Sequence, residues 1–397
     1  MSNSRKAVVS ATNATLVNED QSSHIDLFAA NGTLLLGHSN PTAVEALVAQ
    51  ARKVWITGRL DTDTRLLAYA SVEDMLPDPL KVAGFYSTGM EAAEFALRAS
   101  RVLTGRKDVV GFDRCMHGKS SATAFLAWPN PFGHDLPGFH RVPFPTPETA
   151  DDALARLEQV LGRRQTAAVF LEAIQGSGGG ASVSSEFCES LRKLCSDTGT
   201  LLVADEILTG FHRTGPLFFY QRFPLEPDIV LAGKCMGNGF PVSAVLMGRD
   251  HELSARMLPY STYSENALAM AAIVGTLQEI KRLPVERLAM DIQQAIRTSL
   301  DTFHPESIRL TVYGAMCIID LGDSQIAAAI ANQCYDGGVL VSQAGPILRL
   351  LPPLTIPTAE LEQGLATLAA ALDDNLPPTV FAPNALGRTQ RGADERA

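Results

Sequence analysis

Through the middle of the chain, short continuous apolar runs alternate with longer amphipathic stretches, and this alternation leaves few folds open. Val82-Ala-Gly-Phe-Tyr86, Asp108-Val-Val-Gly-Phe112, Ala167-Ala-Val-Phe-Leu-Glu172 and Leu201-Leu-Val-Ala-Asp205 each read as a strand without a polar face. Runs of that kind fit a sheet covered on both sides, which is the setting of parallel strands. Helices are expected between them, over Glu91 to Leu103, ended by Thr104-Gly105, and from about Ser185 to Ser196. The resulting βαβα order predicts the α/β class: a three-layer sandwich around a mostly parallel central sheet.

A chain of 397 residues can bury one large core and a second, smaller one. The large domain is expected over 45–280, with residues 1–44 as an N-terminal segment belonging to the small domain. From 281 to 378 the pattern changes to a smaller α+β unit. Its strands are expected around Val312, over Met316 to Asp320, and near Val339 and Leu348, with helices from Gln325 and over Thr358 to Asp373. A polar tail, 379–397, follows. Residues 126–148, dense in proline and aromatics, read as a long ordered loop.

Several function classes drop out. The net charge of −10 and the lack of a basic stripe argue against nucleic acid as a partner. No run approaches the ~20 apolar residues of a membrane span. The six cysteines lack metal-ligand spacing and read as reduced thiols, and no signal peptide is evident, so a cytoplasmic location is expected.

The chemistry concentrates around one lysine. In Asp228-Ile-Val-Leu-Ala-Gly-Lys234-Cys-Met-Gly-Asn-Gly-Phe-Pro241, an apolar run delivers Lys234 into a glycine-rich loop. A desolvated ammonium loses its charge easily, and the free amine is the form that makes a Schiff base. Asp205 ends a buried strand, where ligands bind in α/β sheets, and there it can meet a pyridinium N–H or simply cap a turn. Tyr86-Ser-Thr-Gly-Met90 joins a strand to a helix. Its Gly89 and Met90 amides suit a phosphate, although Ser-Thr-Gly is also an ordinary N-cap.

Taken in order, Leu36-Gly-His-Ser-Asn-Pro41, Ser87-Thr-Gly-Met-Glu-Ala92, Met116-His-Gly118, Glu172-Ala-Ile-Gln-Gly-Ser-Gly-Gly179, Asp205 to Gly215, Ala232-Gly-Lys-Cys-Met-Gly237, Ser261 to Ala269 and Leu348-Arg-Leu-Leu-Pro-Pro-Leu354 resemble the class III aminotransferases, over about residues 20–375. These are pyridoxal-phosphate enzymes of fold type I. The resemblance implies that Lys234 is the Schiff-base lysine and that Asp205 partners the pyridine nitrogen. It places Ile207 and Met116 on the two ring faces and Gly89 and Met90 at the phosphate. Thr262 matches a threonine that reaches the phosphate across a homodimer interface, so active sites shared between subunits are implied. Arg349 matches the arginine that clamps a substrate α-carboxylate.

Three positions depart from the family pattern. Ser177 stands where many members have a glutamate that neutralises the clamp arginine when the substrate has no α-carboxylate. Leu208 replaces a glutamine near the cofactor's phenolic oxygen, and Met116 replaces a stacking aromatic. His38 reads as a loop residue and His117 as shaping a turn beside the cofactor, while Glu172 serves either the site or its own loop. The implied activity is transfer of an amino group from an amino acid to an aldehyde or keto acceptor by a ping-pong mechanism. An aminomutase of the glutamate-semialdehyde type is the nearest rival; a racemase, a decarboxylase or a non-catalytic member stands further off.

Overall fold

The computed structural model describes residues 6–126, 134–248, 257–303 and 308–376. The polar tail 379–397 and part of the proline-rich stretch lie outside them. The central sheet has seven strands, in the order Leu80–Tyr86, Ser243–Gly248, Ile229–Gly233, Leu201–Asp205, Thr166–Leu171, Asp108–Phe112 and Phe139–Val142. The last five pair in parallel, and Ser243–Gly248 runs antiparallel to both of its neighbours. Every residue of Thr166–Leu171 and Ile229–Gly233 is buried, as the continuous apolar runs require.

The covering helices follow the expected stripes. Gly89–Thr104 buries Ala92, Ala93, Ala96 and Leu97, and small residues on that stripe let the helix sit close to the sheet. The helix starts earlier than the expected Glu91, because the Thr88 side chain accepts from the Glu91 amide and so caps it, and Gly105 ends it in the left-handed region at φ 69°. Ser185–Thr198 ends the same way at Gly199.

Two smaller sheets complete the chain. Arg309–Tyr313, Met316–Asp320, Ile347–Leu350 and Ser342–Ala344 form one antiparallel sheet, and the helices Val285–Leu300, Ser324–Asp336 and Thr358–Asn375 belong to the same part of the chain. The other consists of Val8–Thr12, Thr15–Asn18 and Ser23–Asp26, with Val339–Leu340 added in parallel to Ser23–Asp26. Within the described part of the expected long loop at 126–148, Phe139–Val142 is instead an edge strand. Pro137 and Pro143 flank it, leaving its own amides free to pair with Asp108–Phe112.

Candidate active site

Strand ends and one helix start converge on a cleft of ≈ 770 Å³. Lys234 stands on its floor, directly after the buried strand Ile229–Gly233 and at the start of a single 3₁₀ turn. Its φ of 41° is left-handed, a conformation that costs a non-glycine residue roughly 1–2 kcal/mol and marks functional sites when the surroundings enforce it. The next turn is held by Asn238, whose side chain accepts from the Leu36 amide at 2.8 Å and donates to the Gly37 carbonyl at 3.1 Å. Burial lowers the Lys234 pKa, against the opposing pull of Asp205 and Glu172. The amine therefore meets two carboxylates electrostatically, yet among the described residues it makes no hydrogen bond or ion pair with either.

Asp205, 6% exposed, ends its strand at the cleft. One carboxylate oxygen accepts from the Ile207 amide at 3.1 Å and the other bonds His117 Nδ1 at 2.9 Å. Asp205 thus caps a turn and also lines the cleft, and each of its carboxylate oxygens can accept a second bond. His117 is buried and fixes this carboxylate from 88 residues away in the chain, a role that shaping a turn does not capture.

Gly89 and Met90 open their helix at the rim, where the first amides have no intrahelical acceptor. A Cβ on Gly89 would lie 2.7 Å from Ile207 Cδ1, so the glycine keeps backbone and Ile207 in close contact. Met116 lines the cleft, and its amide donates to Glu172 Oε2 at 2.7 Å. Glu172 is buried in the cleft wall. Its carboxyl is raised above the ordinary range, first by burial and then by the Asp205 charge. Leu208 packs against the Gln175 loop: a Cβ on Gly176 would come within 2.2 Å of Leu208 Cδ2.

Arg349, on strand Ile347–Leu350, also lines the cleft and donates to Ser177, Asn31 and Ser342. Thr262 does not join this group: it lies on an exposed loop, away from the cleft of its own chain. His38 bonds Asp26 Oδ2 at 2.8 Å, outside the cleft. Arg213 is fully buried and donates to the carbonyls of Gly32, Ala315 and Pro352, which ties three distant segments of the chain together.

A desolvated lysine, a strand-end aspartate and an open helix N-terminus sharing one cleft on this sheet fit pyridoxal phosphate, group by group, and the fold is the type I fold of enzymes that carry it. The profile described as aminotransferase class-III matches residues 2–372, and the chain belongs to that family of pyridoxal-phosphate-dependent transaminases. Acetylornithine aminotransferase of Listeria innocua is 33% identical, over 89% of this chain and 91% of its own. The 2-aminoadipate transaminase of Pseudomonas putida is 31% identical, over 91% and 94%. Among solved structures, the omega transaminase of Pseudomonas jessenii in complex with PMP superposes with a TM-score of 0.86 at 22% identity, covering 93% of this chain and 92% of that one. The ornithine aminotransferase of Toxoplasma gondii gives 0.82 at 25% identity, over 93% and 90%.

Proposed function

We propose that the cleft carries out both halves of an amino transfer between an amino acid and a carbonyl acceptor, with Lys234 as covalent anchor and proton carrier. The observation that carries this reading is the partly buried Lys234 amine, its pKa lowered by burial, in one cleft with Asp205 and the Gly89 helix start. When bound, pyridoxal phosphate supplies an electron sink for the pair left behind when a proton leaves the donor Cα. Lys234 would hold the cofactor covalently and, once free, would take the donor Cα proton and deliver it to the cofactor carbon that its own amine had occupied; burial favours the neutral amine that this needs. Asp205, oriented by His117 and the Ile207 amide, holds the ring nitrogen's proton. The Gly89 and Met90 amides would hold the phosphate, Ile207 and Met116 would pack against the ring, and Arg349 would receive the substrate carboxylate.

The active unit is a homodimer in which Thr262 of each copy completes the phosphate site of the other. Supporting this is an exposed apolar surface: Trp55, Leu60 and Tyr263 are 63%, 73% and 69% exposed. They belong to segments in contact, since the Trp55 carbonyl accepts from the Ala267 amide and Arg59 lies over the Tyr260 ring at 5.4 Å. Monomers rarely leave such a surface in water. We place the domain boundaries near residues 45 and 281. The acidic chain with six buried free thiols suits the cytoplasm, and no helix of the described residues is long and apolar enough to cross a membrane.

One experiment separates this reading from the aminomutase. An amino donor alone, added to the yellow holoprotein, discharges the cofactor colour and releases one equivalent of keto acid. Isomerisation without keto acid would instead indicate transfer within one molecule.

A further inference from the structure

Arg349 is a cation without an anion. Its guanidinium donates to Ser177 Oγ at 3.3 Å and to Asn31 Oδ1 and Ser342 Oγ at 3.0 Å each. All three acceptors are neutral, no ion pair reaches Arg349 among the described residues, and its Nε is buried without a partner. The carboxylate whose field acts on it is Glu172, which lies beyond ion-pair distance and is bound to the Met116 amide.

Asn31 is brought to this position at a conformational cost. Ala29, Ala30, Asn31 and Gly32 have φ of 45°, 49°, 62° and 75°, four successive left-handed residues of which only the last is glycine. Such a turn persists only when its surroundings enforce it. Here Asp26 Oδ1 accepts from the Phe28 and Ala29 amides at 2.9 and 2.8 Å, and the Gly32 carbonyl accepts from Arg213 and from Cys235 Sγ. The turn presents an amide oxygen to a guanidinium, where a carboxylate would have cancelled its charge.

We propose that Ser177, Asn31 and Ser342 form a neutral collar that keeps Arg349 open to a carboxylate throughout the catalytic cycle, so the amino donor and the carbonyl acceptor must each bring one. The collar orients the fork through hydrogen bonds and leaves its charge intact. A substrate without a carboxylate would displace water from Arg349 and leave its charge uncompensated, which is strongly unfavourable. A glutamate at 177 would remove that penalty; the serine keeps it. The substrates are therefore amines and carbonyl compounds that also carry a carboxylate, and plain amines and aldehydes without one are excluded. This rests on the reading of Arg349 as a substrate contact.

The test uses holoprotein and a matched pair, norvaline and butylamine, which differ only in the carboxylate. Discharge of the cofactor absorbance is followed for each, and calorimetric binding of pentanoate is measured separately. Norvaline is expected to react at least about 100-fold faster. Ser177→Glu should narrow that ratio by at least about tenfold, and pentanoate binding should weaken by at least about tenfold in both Ser177→Glu and Arg349→Gln. Asn31→Ala should weaken it less, as a positioning residue would. Butylamine within about threefold of norvaline in the wild type, or an unchanged ratio in Ser177→Glu, would overturn the proposal. If neither compound discharges the cofactor, the amino-transfer roles fail instead, and the pentanoate titration still decides whether the collar holds Arg349 for a carboxylate.

Discussion

Replacing Gly89 with alanine separates the cofactor site from the fold, because the two effects have opposite signs. The added Cβ would lie 2.7, 3.0 and 3.3 Å from Ile207 Cδ1, Cγ2 and Cγ1. Carbon pairs rest at about 3.5–4.0 Å, so all three contacts are too close. Overpacking of this size costs about 1–3 kcal/mol. Gly89 does not use a left-handed backbone, so alanine fits its φ and adds up to about 1 kcal/mol of helix propensity. The cofactor-free protein has a simple relief: Ile207, which lines the cleft, swings into it. That movement takes space the cofactor ring needs. The overpacking cost then appears as weaker pyridoxal phosphate binding, roughly 5- to 150-fold, while stability without cofactor changes by no more than about 1 kcal/mol. Absorbance titration of the cofactor-free protein measures the first quantity and denaturant unfolding the second. Gly89→Ala combined with Ile207→Ala should bind better than the sum of the single effects predicts, by at least about 1 kcal/mol of coupling. Additive effects, or affinity within about twofold of wild type, would refute the packing argument.

Two further outcomes follow from the same geometry. Burial raises the Glu172 carboxyl, as it does that of Glu206, which is pushed up to about 7. The native state thus keeps protons that the unfolded chain loses above the ordinary carboxylate range. Stability of the cofactor-free protein should fall as the pH rises from about 4.5 to neutrality, and Glu172→Gln should flatten part of that fall; an unchanged slope of melting temperature against pH would contradict it. Mixing Lys234→Ala subunits with Thr262→Trp subunits should restore one working site per mixed dimer, because one site then has both Lys234 and the second copy's Thr262. Activity no higher than that of the two variants assayed separately would mean that Thr262 serves no neighbouring site.

How much was legible in the sequence depended on how local each signal was. Leu201–Asp205 was expected at the ends it has, because a buried parallel strand carries its own apolar signature. The Gly89 helix was offset by two residues, since its cap is Thr88 and the run of acidic and apolar residues begins only afterwards. The grouping of Lys234, Asp205 and Gly89 in one cleft was legible because each stands at or just after a strand end, and those ends face the same side of the sheet. What depended on distant partners was not. The His117–Asp205 bond spans 88 residues and the Asn31–Arg349 bond 318. Asn31-Gly32 is a turn signal, but nothing in Ala29-Ala30 announces left-handed residues, which tertiary contacts impose. The strands from Val8 to Asp26 were missed because they are short and half-polar, and the last of them is completed by Val339–Leu340 at the other end of the chain.

The central claim is that Lys234 is the residue that bonds the cofactor. Borohydride reduction of the yellow holoprotein, followed by proteolysis and mass spectrometry, tests it directly. One phosphopyridoxyl group per chain is expected, on Lys234 alone, with none in Lys234→Ala. Modification at another lysine, or an unmodified Lys234 in fully coloured protein, would contradict the account.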